Sequence, residues 1–229
     1  MSDDPYLRLS GAGRCELLSR IGEGGMGVVY RGRHRDLDLD VAIKFLHAHL
    51  AEKPGIAERF LREARLAARL QSPGVVRVFD CGEAAGHLYI VMEFVDGQTL
   101  EAHLGERRMM PVGRAVQIAQ LVAQALGEAL DQIGLIHRDI KPANILLTRS
   151  GQVKLADLGL AKVVAREVTA AYTAAGTTLG TPGYMSPEQF ADAGHVDHRA
   201  DVFSLGSTLY QMLAGQPPFR GDSFFQVLK

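Results

Sequence analysis

Residues 137–144 read His-Arg-Asp-Ile-Lys-Pro-Ala-Asn, setting out a carboxylate, cationic side chains and an amide within one short stretch. The apolar run Ile145-Leu146-Leu147 follows with strand character, and Pro142 favours a turn or loop before it. One loop ahead of a strand therefore presents Asp139, Lys141 and Asn144 together. Phosphoryl transfer from a nucleoside triphosphate needs such a set. A carboxylate orients the attacking hydroxyl and takes its proton, a cation offsets phosphate charge, and an amide oxygen helps hold Mg²⁺. A polar surface loop is the plain alternative, and so many positions in this order weigh against it.

The order H-R-D-x-K-P-x-N resembles the catalytic loop of protein kinases, and its K-P-x-N form is similar to the Ser/Thr branch. The wording of the whole chain resembles the eukaryotic-like Ser/Thr protein kinases of bacteria. That resemblance implies an α+β, two-lobe fold: a small antiparallel β-sheet lobe with one helix, then a larger, mainly helical lobe. It implies ATP and Mg²⁺ as cofactors and Ser or Thr hydroxyls of proteins as acceptors. It also implies that Asp139 is the base, that Lys141 supports the γ-phosphate, and that Asn144 and Asp157 are the metal ligands.

Other elements must bring the nucleotide to this loop. Gly22-Glu23-Gly24-Gly25-Met26-Gly27 has the spacing G-x-G-x-x-G. Alone the motif is weak, since it also fits a dinucleotide-binding turn or a glycine-rich hairpin. A dinucleotide turn should open a helix, whereas Val28-Val29-Tyr30 continues as β-branched and aromatic strand. Glycine here is expected to let the backbone approach phosphate oxygens and to adopt φ > 0. By resemblance, Ile21 to Gly27 cover the phosphates and Val29 packs on the base.

Leu39 to Phe45 alternates as a half-buried strand and contains Val41-Ala42-Ile43-Lys44. A lone Lys in a strand is usually solvated. Placed after the glycine turn in this tetrapeptide, Lys44 reads as the residue that reaches the α- and β-phosphates, with Ala42 leaving room for adenine. Ile56 to Leu70 has helical spacing and strong helix formers, with Pro54-Gly55 before it and Ser72-Pro73-Gly74 after it. Glu63 and Glu58 both suit a partner for Lys44 by type. Glu63 is preferred by resemblance to the F-x-x-E-A pattern.

Val75 to Cys81 and His87 to Phe94 read as strands joined by a Gly-containing turn. By resemblance, the end of the second links the two lobes, with Met92 behind the base pocket and backbone groups of Glu93 and Val95 on the adenine edge. A plain edge strand is the competing reading. Leu146 completes the nucleotide-binding positions that the resemblance implies. Strands give way to helices near Gly97. The expected organisation is therefore an extension over 1–13, an N-terminal lobe over 14–96 and a C-terminal lobe over 97–229. In the latter, Gln98 to Leu104 suggests a short helix, and Val112 to Ile133 a long one, apolar on more than one face and buried.

Gly151-Gln152 turns between Leu146-Leu147 and Val153-Lys154-Leu155, ahead of Asp157-Leu158-Gly159. The family's common form is D-F-G, so Leu158 is a departure, though a branched apolar side chain can pack as well. Asp157 supplies the hard oxygen a divalent cation wants. Lys162 to Thr178 resembles an activation segment, closed by Ser186-Pro187-Glu188. Its Thr169, Thr173, Thr177 and Thr178 are candidate phosphorylation sites, Thr173 and Thr177 favoured, with Arg138 the cation to meet a phosphate. Thr181 is expected near Asp139 and Lys141. Asp197 to Ala214 reads as a buried helix whose Asp201, by resemblance, hydrogen-bonds the backbone of the catalytic loop.

The chain has 229 residues, 47% of them apolar, enough to bury a core. A net charge of -1 gives no reason to expect broad nucleic-acid or membrane affinity. Cys15 and Cys81 lie far apart without metal-type spacing, which suits a reduced cytoplasmic setting. No apolar run is long enough for a membrane span, although relatives often carry one beyond the kinase domain. Protein substrates are the expected partners, and pairing of molecules for autophosphorylation stays open. The family has further helices after the point matching Lys229, including an Arg partner for the Glu matching Glu188. The helical lobe is thus expected to be incomplete, and a fragment less stable than a longer form. Two other readings stay open: a nucleotide-binding pseudokinase or scaffold, and a small-molecule kinase of related fold. The first is disfavoured by the full catalytic set, the second by Thr181-Pro182-Gly183-Tyr184 and the S-P-E ending.

Overall fold

The computed structural model describes residues 6, 14–158, 182–191, 196–221 and 227. The chain divides into two compact units, Met1–Leu70 with Val76–Val95, and Gln71–Val75 with Asp96–Lys229.

β-Branched and aromatic residues make the first unit a sheet. Its strands are β1 (Cys15–Gly24), β2 (Gly27–His34), β3 (Leu39–Leu46), β4 (Val78–Ala84) and β5 (His87–Glu93), in the order β1-β2-β3-β5-β4 and antiparallel throughout. Successive side chains alternate between faces. Val28, Tyr30, Val41, Ile43, Phe45, Tyr89 and Val91 form the core cluster of one face. Ala85 and Gly86, both at positive φ, turn β4 into β5 in the way a two-residue hairpin prefers. Two register shifts bend β1 against β2.

Between β3 and β4 lie α1 (Ala48–Ala51) and α2 (Ile56–Ala67). The α2 helix buries Ile56, Phe60, Glu63, Ala64 and Ala67 along one stripe. The helical pattern runs on to Leu70, but the α-helix stops at Ala67. The amides of Arg69 and Leu70 bond three residues back, to Leu66 and Ala67, tightening the last turn.

In the second unit, β6 (Gly97–Thr99), β7 (Ile145–Thr148) and β8 (Val153–Leu155) make a small antiparallel sheet. Among the described residues its α-helices are α3 (Leu100–Arg107), α4 (Val112–Ile133), α5 (Pro187–Ala191) and α6 (Arg199–Ala214). Three sequence expectations shift here. Gln98 lies in β6 rather than a helix, because Thr99 caps α3 by accepting the Ala102 amide at 3.0 Å. Val75 does not start β4: it bridges Leu155, whose amide bonds Gly74. Asp197 precedes α6, its carboxylate accepting the Arg199 amide at 2.9 Å.

The α4 helix forms over the expected residues. It buries only the stripe Ala115, Ile118, Val122, Ala125 and Ala129, while Val112, Val116 and Leu121 are exposed. The buried face of α6 is mostly small and polar, with Ala200, Asp201, Ser204, Ser207 and Thr208, and ends on the fully buried Met212. The hydroxyls of Ser204 and Thr208 bond carbonyls one turn back, which lets them be buried.

Candidate active site

The second unit carries the loop before β7 as a hydrogen-bonded knot. Lys141 Nζ contacts both carboxylate oxygens of Asp139, at 3.0 and 2.8 Å. Asn144 Nδ2 donates to the Asp139 carbonyl at 2.7 Å and to its Oδ2 at 2.9 Å. Both partners are acceptors, so the amide nitrogen must face Asp139 and Oδ1 is left for a cation. Pro142 opens a 3₁₀ turn, Pro142–Asn144, that brings Asn144 back onto Asp139.

His137, fully buried, holds the knot from beneath. Its Nδ1 accepts the Asp139 amide at 3.2 Å and its Nε2 donates to the Ala156 carbonyl at 2.9 Å. The pattern defines a neutral imidazole with the proton on Nε2. Ala156 in turn donates its amide to the Asn144 carbonyl at 2.9 Å. The residue before Asp157 is thus fixed to the loop that carries Asp139 and Asn144. Leu158 is buried, as the departure from D-F-G allowed. Gly159, Thr169, Thr173, Thr177, Thr178 and Thr181 lie outside the described residues.

Two non-glycine residues of the site sit in the left-handed region: Arg138 at φ 66° and Asp157 at φ 61°. Such a conformation costs on the order of 1–3 kcal/mol and needs fixing by its surroundings. For Arg138 the fixing is visible. Asp201, only 4% exposed, accepts the amides of His137 and Arg138 at 2.8 and 2.7 Å, as the sequence reading expected. On the other side of the residue, Gln189 Nε2 donates to the Arg138 carbonyl at 2.9 Å. Arg138 Nη2 donates to the Val196 carbonyl at 3.0 Å.

Gln189 was missed in the sequence. Its Oε1 also accepts from the amide and hydroxyl of Ser186, so it ties the S-P-E turn to the catalytic loop. Only its position next to the conspicuous Glu188 could have pointed to it. Glu188 itself is exposed and acts on Arg199 through its charge. Tyr184 donates its hydroxyl to Gln211, and burial pushes its pKa up to about 12, with Glu101 adding to the rise.

The first unit carries the nucleotide-side candidates. Val29 is paired with Lys44, Lys44 with Ile90, and Ala42 with Met92. Residues opposite one another share a face, so Val29, Ala42, Lys44 and Met92 all lie on one side of the sheet, opposite the aromatic core. Lys44 is buried at 5% exposure, and Glu63 at 6%. Glu63 pairs with its helix neighbour Arg62 at 3.4 Å. The carboxylate of Glu93 accepts the Arg77 amide at 3.3 Å, and the Glu93 amide donates to the Arg77 carbonyl at 2.8 Å. Val95 closes this unit, and Leu146 is half-buried in β7 of the other.

The glycine turn corrects one expectation. None of Gly22, Gly24 and Gly27 has positive φ, because the turn continues a regular ladder in which Gly24 pairs with Gly27. Gly27 is required by packing: a Cβ there would meet the Phe45 carbonyl oxygen at 1.9 Å. Around Gly22 and Gly24 nothing lies within 4 Å of a Cβ, so no neighbour in the protein demands glycine. Both leave a bare backbone that a phosphate could approach, which fits a nucleotide. The turn is held from behind by His47. Its amide donates to the Met26 carbonyl at 3.0 Å and its ring Nε2 to the Gly24 carbonyl at 3.0 Å. Ile21, Glu23, Gly25 and Met26 complete the turn; Ile21, Glu23 and Gly25 are exposed.

A five-stranded antiparallel sheet with one long helix, followed by a mainly helical unit bearing this knot, defines the α+β kinase-like class. The chain belongs to the protein kinase domain family, whose model matches residues 15–227. It is 45% identical over 227 residues to the serine/threonine-protein kinase PknB of Mycobacterium leprae, covering 97% of this chain and 35% of that protein. To the serine/threonine-protein kinase pkn2 of Myxococcus xanthus it is 43% identical over 212 residues, 91% of this chain and 25% of the relative. The chain thus spans about a third or less of these relatives' length. The crystal structure of the Mycobacterium tuberculosis PknI kinase domain matches with a TM-score of 0.74 at 33% identity, covering 90% of this chain and 76% of that one. Among the described residues no helix is long and apolar enough to cross a membrane.

Proposed function

We propose that this chain is the catalytic domain of a serine/threonine protein kinase, transferring the γ-phosphoryl group of ATP to protein hydroxyls. The observation that carries the reading is the knot of Asp139, Lys141 and Asn144, in which every donor faces Asp139 and the Asn144 Oδ1 is left over. Family membership supports it. Asp139 orients a Ser or Thr hydroxyl and takes its proton as the oxygen bonds to phosphorus. The bond from the γ-phosphorus to the β-phosphate oxygen breaks, and ADP leaves with the electron pair. Lys141 stabilises charge on the transferring group. Asn144 and Asp157 would hold Mg²⁺, which when bound would neutralise charge on the phosphate oxygens.

Lys44 grips the α- and β-phosphates, with Glu63 as the partner that sets it. The bare turn at Gly22 and Gly24 covers the phosphates, while Val29, Ala42, Met92 and Leu146 line the base. The backbones of Glu93 and Val95 read its edge. Activation-segment autophosphorylation and a cytoplasmic setting belong to the same proposal. Incubation with radiolabelled ATP, Mg²⁺ and a panel of Ser/Thr peptides tests it. Label on wild type but not on Asp139→Asn supports transfer by this site. Nucleotide binding without label on either would replace the enzyme with a nucleotide-binding scaffold.

A further inference from the structure

Away from the catalytic knot, the second unit has a cleft of about 620 Å³ that none of the roles above uses. It is built from three segments: the start of β6, the end of α3 with the turn into α4, and the end of β7. Met110 and Leu147, both buried, give it an apolar floor, and Met109, 58% exposed, an apolar wall. Its polar lining is one-signed. Arg107, Arg114, Arg149 and His103 all contribute, and no Asp or Glu does. In a chain of net charge -1 this is a local excess of positive charge.

The cations are set out differently. Arg114, in the first turn of α4, is aimed by its own bonds, Nη2 to the Gly151 carbonyl at 3.1 Å and Nη1 to Gln117 at 2.8 Å. His103 is oriented by Gln98, whose amide donates to Nδ1 at 3.2 Å. That bond leaves the Nε2 proton as a donor. Arg149 pairs with Asp96 at 3.2 Å, but their side chains are 82% and 65% exposed. An ion pair so exposed contributes little and exchanges easily for another anion. The first turn of α4 adds the positive end of a helix of 22 residues.

We propose that this cleft docks an extended acidic peptide segment of a protein substrate, one apolar residue seated on Met110 and Leu147 and its carboxylates on Arg107, Arg114 and Arg149. The occupant is argued from charge complementarity and from the mixed lining. A bare anion would not need the methionine floor, and an apolar peptide would leave the charge of three arginines in the lining unmatched. The proposal rests on the kinase reading only for calling the peptide's source a substrate; the docking itself does not need catalysis.

The test is therefore a binding measurement first. The probe is a fluorescein-labelled peptide of Asp and Glu around a Leu-Met pair, without Ser, Thr or Tyr, titrated with the full chain by anisotropy. Saturable binding that weakens with salt is expected. The double charge reversal Arg107→Glu with Arg149→Glu, both outside the packed core, should weaken it about tenfold or more. An uncharged peptide of the same length should not bind. No saturation, or equal affinity for the reversed variant, overturns the proposal. Binding of phosphatidylglycerol vesicles in preference to the peptide also overturns it and assigns the cleft to a lipid surface.

A second arm fuses the acidic segment to a peptide the chain phosphorylates. The fusion should lower KM in wild type and not in the reversed variant, while turnover of the unfused peptide stays equal in both. Loss of transfer with intact anisotropy would sink the kinase reading and leave the docking site standing.

Discussion

Asp201→Asn is the sharpest perturbation the site offers, because it keeps shape and removes one function. Each oxygen of Asp201 accepts one backbone amide, from His137 at 2.8 Å and from Arg138 at 2.7 Å. Asparagine can satisfy one of them. The other amide then meets an NH₂ group in a place with 4% exposure. Loss of one charge-assisted hydrogen bond costs about 1.5–3 kcal/mol, and an abandoned buried donor falls in a similar range. These overlap, so the expected destabilisation is about 2–4 kcal/mol. The carboxylate in the first turn of α6 adds a few tenths more. Arg138 sits at φ 66° and gains by relaxing once its amide is released.

Two measurements separate this account from a general loss of packing. Guanidinium unfolding should show a lower midpoint with an unchanged slope. Phosphoryl transfer should lose about a hundredfold in kcat, the scale of a displacement near 1 Å at the reacting atoms. KM for ATP should hardly move, since Asp201 bonds the loop amides of His137 and Arg138. Asp201→Ala, which abandons both amides, should be worse on both counts. If Asp201→Asn keeps wild-type midpoint and kcat, the two amides are not what holds the loop, and the reasoning fails.

Other outcomes follow from the same geometry. Asn144→Ala should raise the Mg²⁺ concentration needed for half-maximal transfer about tenfold or more, as one oxygen ligand is lost, and a Mg²⁺ titration of rate reads it directly. His47→Ala, which frees the Gly24 carbonyl, should raise KM for ATP about fivefold with little change in kcat, the worth of one hydrogen bond. His47→Gln, which can still donate, should recover most of that, and equal defects in both variants would refute the tether. Asp197, held by Arg199 side-chain and backbone bonds, has its pKa lowered to about 2. A carboxylate depressed on folding stabilises the fold above its unfolded pKa and stops doing so as pH falls through about 2. NMR titration should find that low midpoint in wild type and a return toward the ordinary carboxylate range in Arg199→Gln.

The parts legible in the sequence were those where one local rule decided the outcome. Alternation drew β3, and β-branched and aromatic residues drew β2 after the glycine turn. Helical spacing and strong helix formers drew α2 over Ile56–Ala67. Where two rules competed, the sequence could not arbitrate. Gln98 suits a helix as well as a strand, and pairing with Leu147 across β6 and β7 decided for the strand. Positive φ was expected in the glycine turn, but ladder pairing overrode it, and the left-handed positions fell on Arg138 and Asp157 instead.

That displacement explains why the support at Gln189 was invisible in the chain, and why Asp201 was named only through the family resemblance. Left-handed backbone at a bulky residue has no sequence signal, because it is imposed from outside by groups far along the chain. Asp201 and Gln189 supply it from positions 63 and 51 residues away, and His137 does so through its ring. The residues that face a ligand can be read from type and spacing, since chemistry limits the choices. Those that hold the backbone behind them use ordinary amides and imidazoles that nothing in type or spacing marks out. Gln189 is the clearest instance: an unremarked glutamine beside Glu188 that bridges Ser186 to the carbonyl of Arg138.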